Sequence, residues 1–257
     1  MLVLIAESKT MAPCAESIRP LGYEAHAPAF ASRADSIMEA AGKMSVDELA
    51  GKVKISVPMA RKLHQMAYDF PHKESGCKAI EAFTGVVFKS FGYKSLSESE
   101  QNTADGCVGI ISSLYGWLRP DDVVKPYRLD FTTPMAPDGE TLANYWRESV
   151  TGEIAKRLAE TNDSDVLNLL PGDAAKCIDW KKIEQKAKVW KAEFYEVRPG
   201  GELRTPNSNK LKMLRGELLR HIVTDKLISP EDLKGIVSDN FMPEPSEIPG
   251  KLIFVTA

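Results

Sequence analysis

The chain has 257 residues, 43% hydrophobic and 27% charged, with a formal net charge of −3. That length suits one large domain or two small ones, and the balance is that of an ordinary globular protein, so bulk charge gives no case for nucleic acid or an anionic membrane. No apolar run approaches a membrane span, the opening MLVLIAESKT lacks the basic and long apolar regions of a secretory leader, and four scattered cysteines (Cys14, Cys77, Cys107, Cys177) argue against a zinc site and a disulfide framework.

LVLIA at 2–6 is a short apolar run that reads as a fully buried strand, followed by the polar loop ESKT. Loops after strand ends are where open α/β sheets hold ligands, which singles out Lys9 and Thr10 against the alternative of a solvated turn. Residues 11–31 read as an irregular connection, and 32–70 as helical. There Ser45 and Glu48 form a capping box, and Ser56 is an N-cap with Pro58 in the first turn. GCKAIEAFTGVVF predicts a short helix, a glycine break and a short strand. Ser97 and Glu100 form a second capping box, opening a helix expected to run to about Tyr115.

TLANYWRESVTGEIAKRLAE at 141–160 is amphipathic at helical spacing. VLNLL reads as a buried strand, and VWKAEFYEVR alternates as a strand ending at Pro199-Gly-Gly201. LKMLRGELLRHIVTDKLI is a second amphipathic helix, Ser229-Pro-Glu-Asp232 opens a short one, and KLIFVTA is a strand. The expectation is a single α/β (α+β) domain over 1–257, with one mixed sheet surrounded by helices and strands drawn from both ends of the chain.

Charge gathers in one stretch. From Lys176 to Lys226 thirteen Lys and Arg face seven acids, a net +6 that leaves the remainder at −9. Clustered cations are the electrostatic footprint of phosphate binding; the competing reading spreads them over solvated faces.

SSLYGWLRPDDVVKPYRLD at 112–130 fits neither strand nor helix period. A helix ending near Tyr115, Gly116 at its C′ position and Pro120 in the first turn of a new helix would make a helix-hairpin-helix, although Leu118 stands where the DNA-binding version has a second glycine. Tyr127 offers a flat face and Arg128 a fork suited to phosphate or carboxylate. The alternative is that Arg119 and Arg128 pair with Asp121, Asp122 or Asp130.

LYGWLRPDDVVKPYRLD also resembles the L-Y-G-x-L-R-P-x-D-x-x-x-P-Y-R-L-E block of the YaaA family of bacterial peroxide-stress proteins. MLVLIAESKT, AIEAFTGVVF, NYWRESVT, VLNLL and SNKLKMLRGELLRHIV resemble further blocks of that family in the same order. The resemblance implies a cytosolic protein that lowers free iron and limits oxidative damage to DNA, with a positively charged cleft, a helix-hairpin-helix-like element and DNA as partner. By motif matching it implies Lys9, Arg119, Tyr127, Arg128, Lys212 and Arg215 as phosphate-binding residues, to which Lys125 and Lys210 are added from the same segments. Ala6 and Glu7 replace the family's Ser-Pro, placing an acid beside Lys9, and LLPGDAAKCID departs from the block after the VLNLL strand.

Three functions follow as expectations. One is DNA binding in peroxide stress, with salt-sensitive affinity. The second is an enzyme acting on a nucleotide or nucleobase, a small phosphate-bearing ligand held by arginines with Glu7 or Asp130 as acid or base. The third is an iron binder or thiol sensor, with Cys177 beside Lys176 as the candidate thiol. No cofactor or metal is expected, and no catalytic residue is assigned. The cellular place is expected to be the cytoplasm, with no membrane partner.

Overall fold

The computed structural model describes residues 1–12, 27–72 and 76–256. Most of the connection expected at 11–31 therefore lies outside the described residues. The strands are β1 (Leu2–Ala6), β2 (Cys77–Lys78), β3 (Val108–Ser112), β4 (Gly116–Leu118), β5 (Val123–Val124), β6 (Asp165–Asn168), β7 (Lys188–Val197), β8 (Leu203–Arg204), β9 (Met242–Glu244) and β10 (Lys251–Thr256). The helices are α1 (Ala31–Gly42), α2 (Val46–Val53), α3 (Val57–Asp69), α4 (Ala79–Ala82), α5 (Val86–Phe91), α6 (Glu98–Cys107), α7 (Leu142–Thr161), α8 (Trp180–Glu184) and α9 (Ser208–Thr224).

One mixed sheet runs β4-β3-β1-β6-β7-β10-β9, with β8 paired to β7. Its middle, from β3 to β10, is parallel; β4, β8 and β9 are antiparallel additions. β1 sits between β3 and β6 and is buried at all five positions. Successive strand residues point to opposite faces, so burial at every position means the sheet is covered on both sides here. The α/β expectation is met, and strands near both ends of the chain do join one sheet.

The helix starts follow the local chemistry. Both capping boxes form: Ser45 accepts from the Glu48 amide, Ser97 from the Glu100 amide, and each glutamate reaches back. Ser56 begins α3 with Pro58 in its first turn, although its side chain makes no cap bond. GVVF is a helix, α5, and not the expected strand. Gly216 of α9 lets the two helices meet, because a Cβ there would stand 2.2 Å from the Val87 carbonyl oxygen.

The 112–130 stretch is corrected. α6 stops at Cys107, the chain continues as β3, and Gly116–Leu118 folds back antiparallel with Ser112 facing Gly116. It is an edge hairpin, so the helix-hairpin-helix expectation fails at this segment. Val108, Ile110 and Ile111 are β-branched and enter the sheet beside β1, which outweighs helical continuation. Gly116 does take φ +69, and Trp146 of α7 packs where its Cβ would be, while the Trp146 indole N–H donates to the Ser113 carbonyl at 2.8 Å. Pro120 lies in a turn that Asp122 closes by accepting from the Arg119 amide at 2.8 Å. Residues 125–130 then run as an irregular strap without regular secondary structure.

Among the described cysteines, Cys107 and Cys177 are free thiols, while Cys77 is disulfide-bonded, although the scattered spacing argued against a disulfide framework. No helix of the described residues is long and apolar enough to cross a membrane.

Candidate functional site

β1 ends at Ala6, and the chain leaves the sheet through Glu7, Ser8, Lys9 and Thr10 at the point where its neighbours diverge, β3 to one side and β6 to the other. Such switch points at strand carboxyl ends are the usual ligand crevice of open α/β sheets. The exit is pinned. The Thr84 amide donates to Thr10 O at 2.9 Å, the Ala12 amide to Ala82 O at 2.8 Å, and the Gly85 amide to Ser8 Oγ at 3.0 Å. Gly85 is needed because a Cβ there would fall 2.4 Å from the Ser8 Cβ.

Two clefts flank this strap. The first, of about 560 Å³, is lined by Glu7 to Thr10, Gly85 to Phe88, Asp130, Phe131, Leu169, Pro171, Asp173, Ser208, Lys212 and Arg215, with Ile5 and Ala6 at its base. The second, of about 360 Å³, is lined by Lys9 to Ala12, Met59, Lys62, Met66, Pro126, Tyr127 and Arg128. Lys9 and Thr10 belong to both. A third concavity of about 330 Å³ lies against β9 and β10, away from the expected site residues.

Glu7 is turned away from Lys9. Its Oε2 accepts from the Ser113 amide at 2.9 Å and from the Tyr127 hydroxyl, and its Oε1 accepts from Ser113 Oγ at 2.5 Å. Burial pushes its pKa up to about 7, although the bonds from Ser113 and Tyr127 pull downward. Tyr127, also hydrogen-bonded to Ser112 Oγ at 2.8 Å, is raised well above its ordinary value by burial and by Glu7. Lys9 instead pairs with Asp130 at 3.0 Å. Partial burial opposes it, but bonds from Thr132 and Lys9 hold the Asp130 carboxyl below the usual carboxylate range.

Arg215 reaches the first cleft from α9. Its Nε is buried and finds no hydrogen-bond partner among the described residues; burial lowers its pKa, and Asp173 works against that. Lys212, one turn earlier, is exposed. The first cleft thus holds Lys9, Lys212 and Arg215 against Glu7, Asp130 and Asp173, a mixed charge where a positively charged cleft was one expectation and cations with nearby acids another. The second carries Lys9, Lys62 and Arg128, with no acid in its lining among the described residues.

The expected residues separate accordingly. Lys9, Lys212 and Arg215 meet in the first cleft, and Tyr127 and Arg128 join Lys9 in the second, where an Arg128 Nη1 donates to the Lys9 carbonyl. Arg119 sits in the turn before β5, outside both linings. Lys125 donates to the Phe70 carbonyl at 2.7 Å and lies over its ring at 4.9 Å, so it staples the strap to the end of α3. Lys210 pairs with Glu196 at 3.1 Å. Cys177 is buried and burial raises its thiol well above the ordinary range, which removes it as a sensor candidate. Cys107 is pushed up to about 11 by burial. Among the described residues no three His, Cys, Asp or Glu side chains gather as a metal site.

Ser8, Gly85, Ser113 and Asp173 complete the site and were not expected from sequence. The Gly85 break in AFTGVVF was the one local signal for them.

The sequence profile of the family described as "Peroxide stress protein YaaA" matches residues 1–247. The chain belongs to the YaaA family. Similar curated proteins, described as UPF0246 proteins, run along nearly its whole length. That of Bacteroides thetaiotaomicron is 31% identical over 99% of this chain and 98% of its own, and that of Rhizorhabdus wittichii is 32% identical over 94% and 93%. That of Parabacteroides distasonis is 29% identical over 94% and 93%. The match spans both clefts of this YaaA-family protein, from the β1 exit to α9, and the family supports a peroxide-stress role.

Proposed function

We propose that this YaaA-family protein is a cytosolic DNA-binding protein of the peroxide-stress response that limits free intracellular iron and oxidative damage to DNA. The observation that carries the reading is that Lys9 and Thr10 line both clefts, so that Lys62 and Arg128 of the second cleft and Lys212 and Arg215 of the first flank Lys9. Side-chain cations, and not the backbone amides of a helical hairpin, would meet the phosphates. The half-buried methionines Met59 and Met66 beside Arg128 supply apolar surface next to charge, while Tyr127 is buried beneath and offers no stacking face.

The test is fluorescence anisotropy with labelled duplex, single-stranded and bulged DNA across salt concentrations. Arg128→Ala is expected to weaken binding by about 1–3 kcal/mol, the range of a lost charge-assisted contact. Absent binding, or binding indifferent to salt and to Arg128, contradicts the reading.

Glu7 favours a second reading, an enzyme acting on a nucleotide or nucleobase in the first cleft. A carboxyl with a pKa near 7 at the end of a central strand suits acid–base work at neutral pH. Asp130, held ionised by Lys9 and Thr132, suits that role less.

A further inference from the structure

We propose that the first cleft binds a small phosphate-bearing molecule with a flat apolar body, of the mononucleotide class, holding its anion on Arg215 and Lys212 while Glu7 presents a proton to it from the end of β1. The inference rests on the second reading above and adds a proton-linked mode of binding to it.

The hydrogen-bond directions at Glu7 argue for it. Ser112 Oγ accepts from the Leu114 amide at 3.2 Å and the Tyr115 amide at 2.9 Å, so its single proton is left for Tyr127 or Glu7, both of which it meets, and the Tyr127 proton is left for Glu7. Tyr127 therefore donates onward to Glu7, where the Ser113 amide and hydroxyl also donate. A carboxyl group has about four lone-pair sites. Three of those at Glu7 are filled by these donors, of which the Ser113 amide cannot take a proton back. A proton acquired by Glu7 therefore sits on a carboxyl that borders the cleft.

The anion end is argued from α9. Arg215 Nε is a buried donor without a partner among the described residues, and its guanidinium has a fork that matches phosphate oxygens. Lys212 lies three residues earlier, on the same side of the helix. Ile5, Val87, Phe88 and Phe131 line the space with apolar surface, and about 560 Å³ is within the range of small-molecule pockets.

The groups facing Glu7 give the sign. Ser112, Ser113 and Tyr127 are neutral near pH 7, as is the buried Cys177 behind it. Lys9 is committed to Asp130, and Asp173 lies by Arg215. An arriving anion therefore disfavours the Glu7 carboxylate, and the complex carries more of the proton than the free protein does. If the anion raises the Glu7 pKa by one unit, affinity is about tenfold higher on the acid side than on the alkaline side.

The experiment is calorimetry of the full chain with adenosine 3′,5′-cyclic monophosphate, whose single charge is constant between about pH 6 and pH 8, in buffers of different ionisation enthalpy. Wild type should bind about fivefold more tightly at about pH 6 than at about pH 8, the part of the tenfold limit that falls in this window, and take up protons. Glu7→Gln, which resembles the protonated acid, should keep the low-pH affinity at both values. Lys212→Ala, at an exposed position, should lose several-fold affinity at both and keep the pH slope. No binding of this probe, guanosine monophosphate or inorganic phosphate by folded wild type overturns both the site and the second reading. Binding without proton uptake, or an unchanged pH slope in Glu7→Gln, overturns the proton role and leaves the nucleotide reading standing. Proton-linked binding indifferent to Lys212→Ala and Arg215→Lys places the anion elsewhere and overturns the inference.

Discussion

At the scale of the residue, Glu7 has a consequence for stability as well as for binding. Its folded pKa of about 7 stands above the ordinary carboxylate range. The native protein therefore holds a proton that the unfolded chain has released. This contribution is fully present below the ordinary carboxylate pKa and is lost as pH rises through about 7. The slope at its steepest is about 1.4 kcal/mol per pH unit for one proton. Asp130 and Glu193, the latter lowered to about 2 by Lys191, Lys251 and Tyr195 against its burial, change stability only at lower pH. Urea unfolding at pH 5 and pH 8 should thus show a fall in wild-type stability that Glu7→Gln reduces; a parallel fall in the variant would contradict the shift. Sequence made Glu7 visible as an acid beside Lys9 but carried no sign of which way it turns. The partners that turn it, Ser113 and Tyr127, come from separate segments, and their convergence is a product of the β3–β4 turn and the strap.

At the scale of the element, the site depends on how closely α5 and α9 approach. Gly216→Ala would place a methyl 2.2 Å from the Val87 carbonyl and 2.8 Å from the Ser90 Cβ. The helices must shift, at a cost of about 1–3 kcal/mol. A lower melting temperature is expected, together with weaker ligand binding, because Arg215 is the neighbouring residue. An unchanged melting temperature would mean the helices separate freely. Capping boxes and amphipathic stripes made the long helices legible, since those signals act within a few residues. α5 and the β3–β4 hairpin were misread for the opposite reason. GVVF suits a strand by composition, yet it caps and packs as a helix because α9 is there to receive it. α6 carries Gly106 in its last turn, a break that the expected continuation to Tyr115 passes over.

At the scale of the whole molecule, the basic stretch of 176–226 does not act as one surface. Lys191 and Lys251 converge on Glu193, Lys210 pairs with Glu196, and Lys188 stacks over Trp190 at 3.8 Å. Of the chain's cations, Lys9 and those flanking it are the ones the clefts gather. Each phosphate neutralised contributes a slope of about −0.9 to log K against log salt. DNA binding through the clefts should therefore show a slope of roughly −3 to −5. A slope near −10 would mean that the whole basic stretch engages, and would move the interface off the clefts. Charge counting along the sequence saw the excess; it had no means of seeing which lysines the sheet would commit to Glu193 and Glu196.

The placement of β1 also bears on how the chain reaches this state. Its partners are Val108 to Ile111 on one side and Val166 to Asn168 on the other. During synthesis at about 5–20 residues per second, an apolar strand that belongs in the middle of the sheet waits on the order of ten seconds for its first neighbour. The long loops to be closed place this fold among the slow folders. The clefts at the end of β1 are thus among the last features to assemble, and a cell would have to shield that strand before the protein could shield anything else.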